Sequence, residues 1–215
     1  MQILRAFILV VILKPFATLV LGYSVAHRRR IPSGGPAIIA ANHNSHLDTL
    51  LLFVLFPARL IGKLRPVAAA DYFLRNPMLR WFSLNIVGIL PIERQRPGRN
   101  DPLGAMRDAL ERGEILFVFP EGTRGEPERM AALKSGIAHL AEEFPAVPII
   151  PVFLQGAGRS LPKGSHLFVP YRCHGVVGER IVWGGDRRAF MTELSTRFQM
   201  LASEVPNLEW EDERA

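Results

Sequence analysis

Between Ile3 and Val25 the chain is almost wholly apolar, broken only at Arg5, Lys14 and Pro15 among charged or ring-constrained residues. The longest uncharged runs, Ala6–Leu13 and Pro15–Ala26, fall short of the ~20 apolar residues that a bilayer-crossing helix needs. The pattern therefore predicts two short helical pieces bent at Pro15. Such pieces rest in one leaflet, with Arg5 and Lys14 reaching up to the headgroups and His27-Arg28-Arg29-Arg30 facing anionic lipid. An export signal is the rival reading, with Ser24-x-Ala26 as its cleavage site. Lys14-Pro15 inside the apolar run and three arginines just after the cut argue against it. A buried amphipathic helix fits less well, because the run is apolar on every side.

Beyond the turn Pro32-Ser33-Gly34-Gly35-Pro36, short β-rich runs alternate with helical ones. Strands are expected at Ala37–Ala41, Val67–Ala70, Ile86–Ile92, Ile115–Phe119 and Ile149–Leu154, and near Leu167–Tyr171 and Arg180–Trp183. Helices are expected at Leu47–Phe56, at Tyr72–Ser83 with an interruption at Pro77, and at Ile137–Phe144. Asp101–Arg112 has the clearest helix punctuation: Asp101 caps, Pro102 takes the first turn and Gly113 ends it. A last helix carries Phe190, Leu194, Phe198 and Leu201 in phase. This alternation predicts an α/β fold, a central mixed, mostly parallel sheet covered by helices, with the membrane-associating segment at residues 1–30. Residues 31–205 form the main domain, and an acidic tail occupies 206–215.

With 48% apolar and 21% charged residues, the composition supports a sizeable core, and disorder or a coiled coil is excluded. The single cysteine, Cys173, excludes a disulfide framework and a multi-cysteine metal cluster and makes a reducing, cytoplasm-facing compartment the default. Charge is unevenly spread: residues 1–99 carry +10 and residues 100–215 carry −4. Twenty-two of the 26 basic residues are arginine, a guanidinium suited to phosphate or carboxylate, although a codon bias would give the same count. Anionic lipid, a phosphorylated substrate or an acidic carrier protein are the partners this implies. Nucleic acid is not among them, since no recognition motif accompanies the charge.

Three segments concentrate polar chemistry at the ends of apolar strands. In Asn42-His43-Asn44-Ser45-His46-Leu47-Asp48, His43 and Asp48 lie roughly 140° apart on a regular helix, so they meet only if His43 sits in the loop before it. Ser45-x-x-Asp48 is also a capping pattern, which by itself makes Asp48 structural. An imidazole beside a carboxylate that orients it is what general-base catalysis requires. His43, His46 and Asp48 as metal ligands are the competing chemistry, with His139, His166 or His174 as further partners in no recognisable ligand spacing. Phe119-Pro120-Glu121-Gly122-Thr123-Arg124 ends a strand in a loop whose glycine admits close backbone approach and whose arginine can grip a phosphate. Gly88-x-x-x-Ile92-x-Arg94 runs a third strand out to a basic stretch.

In this order the segments resemble the glycerolipid acyltransferase family typified by 1-acylglycerol-3-phosphate acyltransferases. Its Asn-His-x4-Asp motif matches Asn42, His43 and Asp48; its Gly-x-x-x-Ile-x-Arg strand matches Gly88, Ile92 and Arg94; its Phe-Pro-Glu-Gly-Thr-Arg loop matches Phe119–Arg124. A paired-proline strand at Pro148–Pro151 and Lys134-x-Gly136 add weaker matches. The resemblance implies that a fatty acyl chain passes from acyl-CoA or acyl-carrier protein to a lysophospholipid hydroxyl, most simply that of 1-acylglycerol-3-phosphate. His43 would be the base and Asp48 its orienting carboxylate. Arg94, Glu121, Gly122, Thr123 and Arg124 would hold the acceptor head group, and amides at the start of the Leu47 helix the oxyanion. No metal or organic cofactor is implied, and the protein is expected on the cytoplasmic face of the membrane. One departure concerns the acceptor: many members that acylate lysophosphatidate have a lysine where this chain reads Val67-Ala68-Ala69-Ala70-Asp71. A different lysolipid or glycolipid acceptor is therefore an alternative, as are a non-catalytic membrane scaffold and a metal-dependent hydrolase.

Overall fold

The computed structural model describes residues 1–73, 76–92, 101, 103–125, 130–162, 164 and 167–205, the side chain of Tyr72 excepted. Seven strands form one sheet in the order β1-β7-β6-β2-β5-β3-β4. They are β1 (Ser24–Ala26), β2 (Ala37–Ala41), β3 (Leu64–Ala69), β4 (Leu90–Ile92), β5 (Ile115–Val118), β6 (Ile149–Gln155) and β7 (His174–Val177). Every neighbouring pair is parallel except β6 with β7. The expected mixed, mostly parallel sheet is the observed one.

β2 is buried along its whole length, and its uniformly apolar sequence follows from cover on both faces. Ile39, Phe117 and Val152 point to one face, under helices α1 (Gln2–Val20) and α2 (Leu47–Leu55). Ile38, Leu116 and Ile149 point to the other, under α5 (Gly104–Glu111), α6 (Gly136–Glu143) and α8 (Arg187–Ser203). Between them come three short helices, α3 (Ala70–Phe73), α4 (Pro77–Phe82) and α7 (Ala157–Ser160). Phe190, Leu194, Phe198 and Leu201 of α8 are all buried, as their phase requires.

The N-terminal segment differs from expectation. It is one continuous helix, not two pieces bent at Pro15, and by length and composition it is long enough to cross a bilayer. Its turns are α at Gln2–Phe7 and π-type at Ile8–Leu13 and Phe16–Val20. Inward positions explain this: Arg5, Leu9, Leu13, Ala17 and Leu21 recur every fourth residue, and all are buried except the half-buried Leu13. An α-helix of 3.6 residues per turn would rotate such a row off the protein, while wider π turns bring it back. The same widening takes the Pro15 ring without the carbonyl clash it makes in a regular helix.

Arg5 does not reach for headgroups either. It is buried, and its Nη2 donates to the carbonyl oxygens of Val87 (2.9 Å) and Leu64 (3.4 Å). Arg28 donates to Val54 and Leu55 at the C-terminus of α2, and Arg30 to Val177, so two of the three clustered arginines hydrogen-bond carbonyls of the protein itself.

Three strand expectations change. Leu167–Tyr171 is irregular, with Leu167 and Val169 exposed. Arg180–Trp183 makes only a single bridge, Ile181 to Ile149. Of Ile86–Ile92 only Leu90–Ile92 is strand, after a π-type turn at Ser83–Val87. The sequence pattern does not announce β1 or β7. His174-Gly175 hides β7, because glycine depresses the β pattern while serving a packing purpose: a Cβ on Gly175 would lie 2.5 Å from the Tyr23 hydroxyl. The acidic tail at 206–215 lies outside the described residues.

Candidate active site

β2 and β5 are parallel neighbours, Ala40 opposite Val118, so the loops that leave them emerge at the same end of the sheet. That places Asn42–Ser45 against Phe119–Gly125, the usual ligand-binding position in open α/β sheets. Asn42 prolongs β2 beyond its last backbone bond. Its amide accepts from Leu154 N (2.7 Å) and donates to Leu154 O (2.8 Å), replacing a peptide group on the β6 side. The main chain is then free to turn away toward α2.

His43 Nδ1 lies 2.9 Å from Asp48 Oδ2. The same oxygen accepts from Asn44 N (2.7 Å) and Ser45 N (2.8 Å), while Ser45 Oγ accepts from Leu47 N (3.2 Å). One carboxylate oxygen of Asp48 thus both accepts from the amides before α2 and hydrogen-bonds the imidazole. His43 also lines the cavity. Phe119 stacks on the imidazole, ring centroids 4.0 Å apart and planes 19° from parallel, which sets the plane of the ring.

Glu121, expected to hold the head group, is placed between the two loops. It is buried and spans two backbone amides, His43 N to Oε1 and Ala131 N to Oε2, both at 2.7 Å. Gly125 N donates back to His43 O (2.9 Å), so the two loops are tied twice. Burial pushes the Glu121 carboxyl up, and the two amides oppose that shift. The expected oxyanion amides are also otherwise engaged. Those of His43, Asn44, Ser45, Leu47 and Asp48 all donate to Glu121, Asp48 or Ser45.

Gly122, Thr123 and Arg124 do line the cavity beside His43. Lys134 joins them, packed so closely that a Cβ on Gly122 would lie 2.7 Å from its Nζ, and Gly122 has φ +73°. In the sequence, Lys134 stands out only as half of a weak Lys-x-Gly match. Arg94 lies outside the described residues. His46 faces the same cavity, pushed down to about 4 by burial, then by Arg124 and His43. Among the described residues no three His, Cys, Asp or Glu side chains converge as metal ligands would.

The cavity has a volume of about 1480 Å³ and is lined mostly by apolar side chains. Its lining comes from both sides of the sheet: Leu9, Phe53 and Val87 from α1, α2 and the Ser83–Val87 turn, and Met106 and Leu140 from α5 and α6. Val67–Ala70, the stretch without lysine, lies on its surface.

His43, hydrogen-bonded to Asp48 at the strand ends of an α/β sheet, thus lines one cavity together with Arg124, Lys134 and many apolar side chains. The chain belongs to the acyltransferase family, whose model matches residues 23–155. It is 31% identical over 134 residues to a chloroplastic 1-acyl-sn-glycerol-3-phosphate acyltransferase of Arabidopsis thaliana, covering 62% of this chain and 35% of that protein. It is 26% identical over 195 residues to the 1-acyl-sn-glycerol-3-phosphate acyltransferase of Bacillus subtilis (strain 168), covering 87% of this chain and 92% of that one. The matched region thus spans well under half of the Arabidopsis relative but nearly all of the Bacillus one. The solved structure of the 1-acyl-sn-glycerophosphate acyltransferase PlsC from Thermotoga maritima shares the fold. Its TM-score is 0.73 at 19% identity, over 96% of this chain and 82% of that one.

Proposed function

We propose that this protein is an O-acyltransferase that moves a fatty acyl chain from a thioester, acyl-CoA or acyl-carrier protein, to the free hydroxyl of 1-acylglycerol-3-phosphate. The observation that carries this reading is the His43–Asp48 pair, 2.9 Å apart, with His43 lining a mostly apolar cavity. Nε2 of His43 takes the acceptor's hydroxyl proton as the oxygen attacks the thioester carbonyl. The carbon–sulfur bond then breaks, and the proton passes to the departing sulfur. Asp48 holds the ring in the tautomer this needs and stabilises the imidazolium between the two transfers. Arg124 and Lys134, with Arg94, grip the acceptor phosphate. Every step is a proton or acyl transfer, so neither metal nor organic cofactor is required.

The exposed face of α1, with Ile3 87% and Leu19 81% exposed, lies in the lipid of one leaflet on the cytoplasmic side. Helix α4 adds Met78 and Trp81, also exposed. A second acceptor reading, a lysolipid or glycolipid without a free phosphate, is favoured by the alanine wall at Ala68–Ala70, which offers no cation. Assay of the purified protein with both donors against a panel of lysolipids tests the proposal. Phosphatidate formation is expected to exceed that from any other acceptor; faster acylation of a neutral acceptor would replace the first reading by the second.

A further inference from the structure

We infer that Arg5 is a positioning residue that fixes the register of helix α1 on the protein and thereby the shape of the part of the cavity that α1 lines. It would help set which acyl chains fit. This rests on the acyl-transfer reading above for its functional half only. Three observations meet at this side chain. Arg5 lines the same cavity as His43, alongside Ile8, Leu9 and Leu13 of its own helix. Its Nη2 donates to the carbonyls of Leu64 and Val87, while its Nε is buried without a hydrogen-bond partner among the described residues. Gly88, the first residue of the second motif, is the receptor: a Cβ there would lie 2.5 Å from Arg5 Nη2 and 2.7 Å from Cζ.

The glycine of that motif thus has a use that its arginine does not explain. Gly88 has φ +73°, closes the Ser83–Val87 turn and leaves room for a guanidinium from a different element. Burying a charged group is unfavourable in itself, and an apolar residue would pack here at less cost. Its value lies in uniqueness. The inward row Leu9, Leu13, Ala17, Leu21 repeats every four residues, so a helix slid by four would present nearly the same apolar face. Only one register brings Arg5 to two backbone carbonyls, as a single polar residue fixes register in a coiled coil. Since Leu9 is fully buried and lines the cavity, a slip or release of α1 would reshape or open that wall.

The test uses the full-length protein carrying Leu9→Cys, with and without Arg5→Met or Gly88→Ala. Arg5→Met keeps the side chain's length and removes its donors. Gly88→Ala leaves Arg5 in place and obstructs its seat, so one variant reports if the other fails to fold. Labelling of the thiol introduced by Leu9→Cys with a soluble maleimide, above the background of the buried Cys173, is expected to quicken about tenfold or more in either variant, as loss of a charge-assisted hydrogen bond implies. In the same variants without the added thiol, the ratio of kcat/KM between long- and short-chain thioesters is expected to shift about tenfold, the scale of methylene discrimination in an apolar pocket. Unchanged labelling in both variants overturns the latch. Faster labelling with an unchanged chain-length ratio overturns its role in specificity. If the parent protein transfers no acyl chain, the proposed function fails, and labelling still decides the latch.

Discussion

At the scale of single residues, the unequal use of Asp48's two oxygens governs what mutation can do. Oδ2 takes three donors, while Oδ1 is buried with no hydrogen-bond partner among the described residues. Asp48→Asn can therefore set its carbonyl oxygen where Oδ2 stands and its NH2 at the vacant side, keeping the loop and the histidine tautomer. What it loses is the negative charge opposite the imidazolium. Turnover is expected to fall ~10–100-fold, short of what loss of the base itself costs, with the fold intact by circular dichroism. Glu121→Gln has no such escape, because each of its oxygens faces an amide N–H and the new NH2 must oppose one of them. Steady-state kinetics are expected to show a fall in kcat with the acceptor KM little changed. A large rise in acceptor KM alone would return Glu121 to the head group.

At the scale of elements, α1 does two separable things with two faces. Its inner row joins the core, and its outer row, Ile3, Phe7, Val11 and Leu19, stands exposed. Changing Ile3, Phe7 and Val11 together to Gln is expected to weaken co-sedimentation with vesicles while leaving turnover of a short-chain, soluble lysolipid within about twofold, since surface changes away from packed contacts have small effects on a folded domain. Loss of both activities together would mean the two faces are not independent. The sequence was legible wherever the local pattern and the packing agree: β2, α2 and α8 stand close to where periodicity placed them. It was illegible where partners decide. The every-fourth spacing in α1 has neither the α nor the β period, so the helix reads as a uniformly apolar run until the protein face beneath it is known. β7 was hidden because Gly175 is chosen for Tyr23, and Arg5 read as a headgroup ligand because nothing local announces Leu64, Val87 or Gly88 as its partners. In the site, the His43–Asp48 pair was legible from loop-to-helix spacing. The role of Glu121 was not, since its contacts are to backbone amides that carry no side-chain signature.

At the scale of the whole molecule, topology brings the chemistry together. Residues 43 and 121 are 78 positions apart and hydrogen-bonded because β2 and β5 are adjacent and parallel. Of the cations in the positive front half, Arg5, Arg28, Arg30 and Arg65 also hydrogen-bond carbonyls or carboxylates of the same chain. Of the cations that line the cavity, Arg5 is held by backbone carbonyls, while Arg124 and Lys134 share the lining with His43. Arg124→Ala is expected to raise the KM for the phosphate-bearing acceptor about tenfold or more and that for the thioester little, because a head-group clamp acts on one substrate. Equal changes in both would place Arg124 elsewhere in the reaction. The account as a whole depends on His43 as the base for acyl transfer, and the most direct measurement is the rate at which purified wild-type and His43→Ala proteins convert 1-acylglycerol-3-phosphate and a long-chain acyl thioester into phosphatidate and free thiol. The wild type is expected to form the two products in equal amounts, and His43→Ala to be slower by ~10²–10⁴-fold with unchanged fold and vesicle binding. Transfer by folded His43→Ala at the wild-type rate would contradict it.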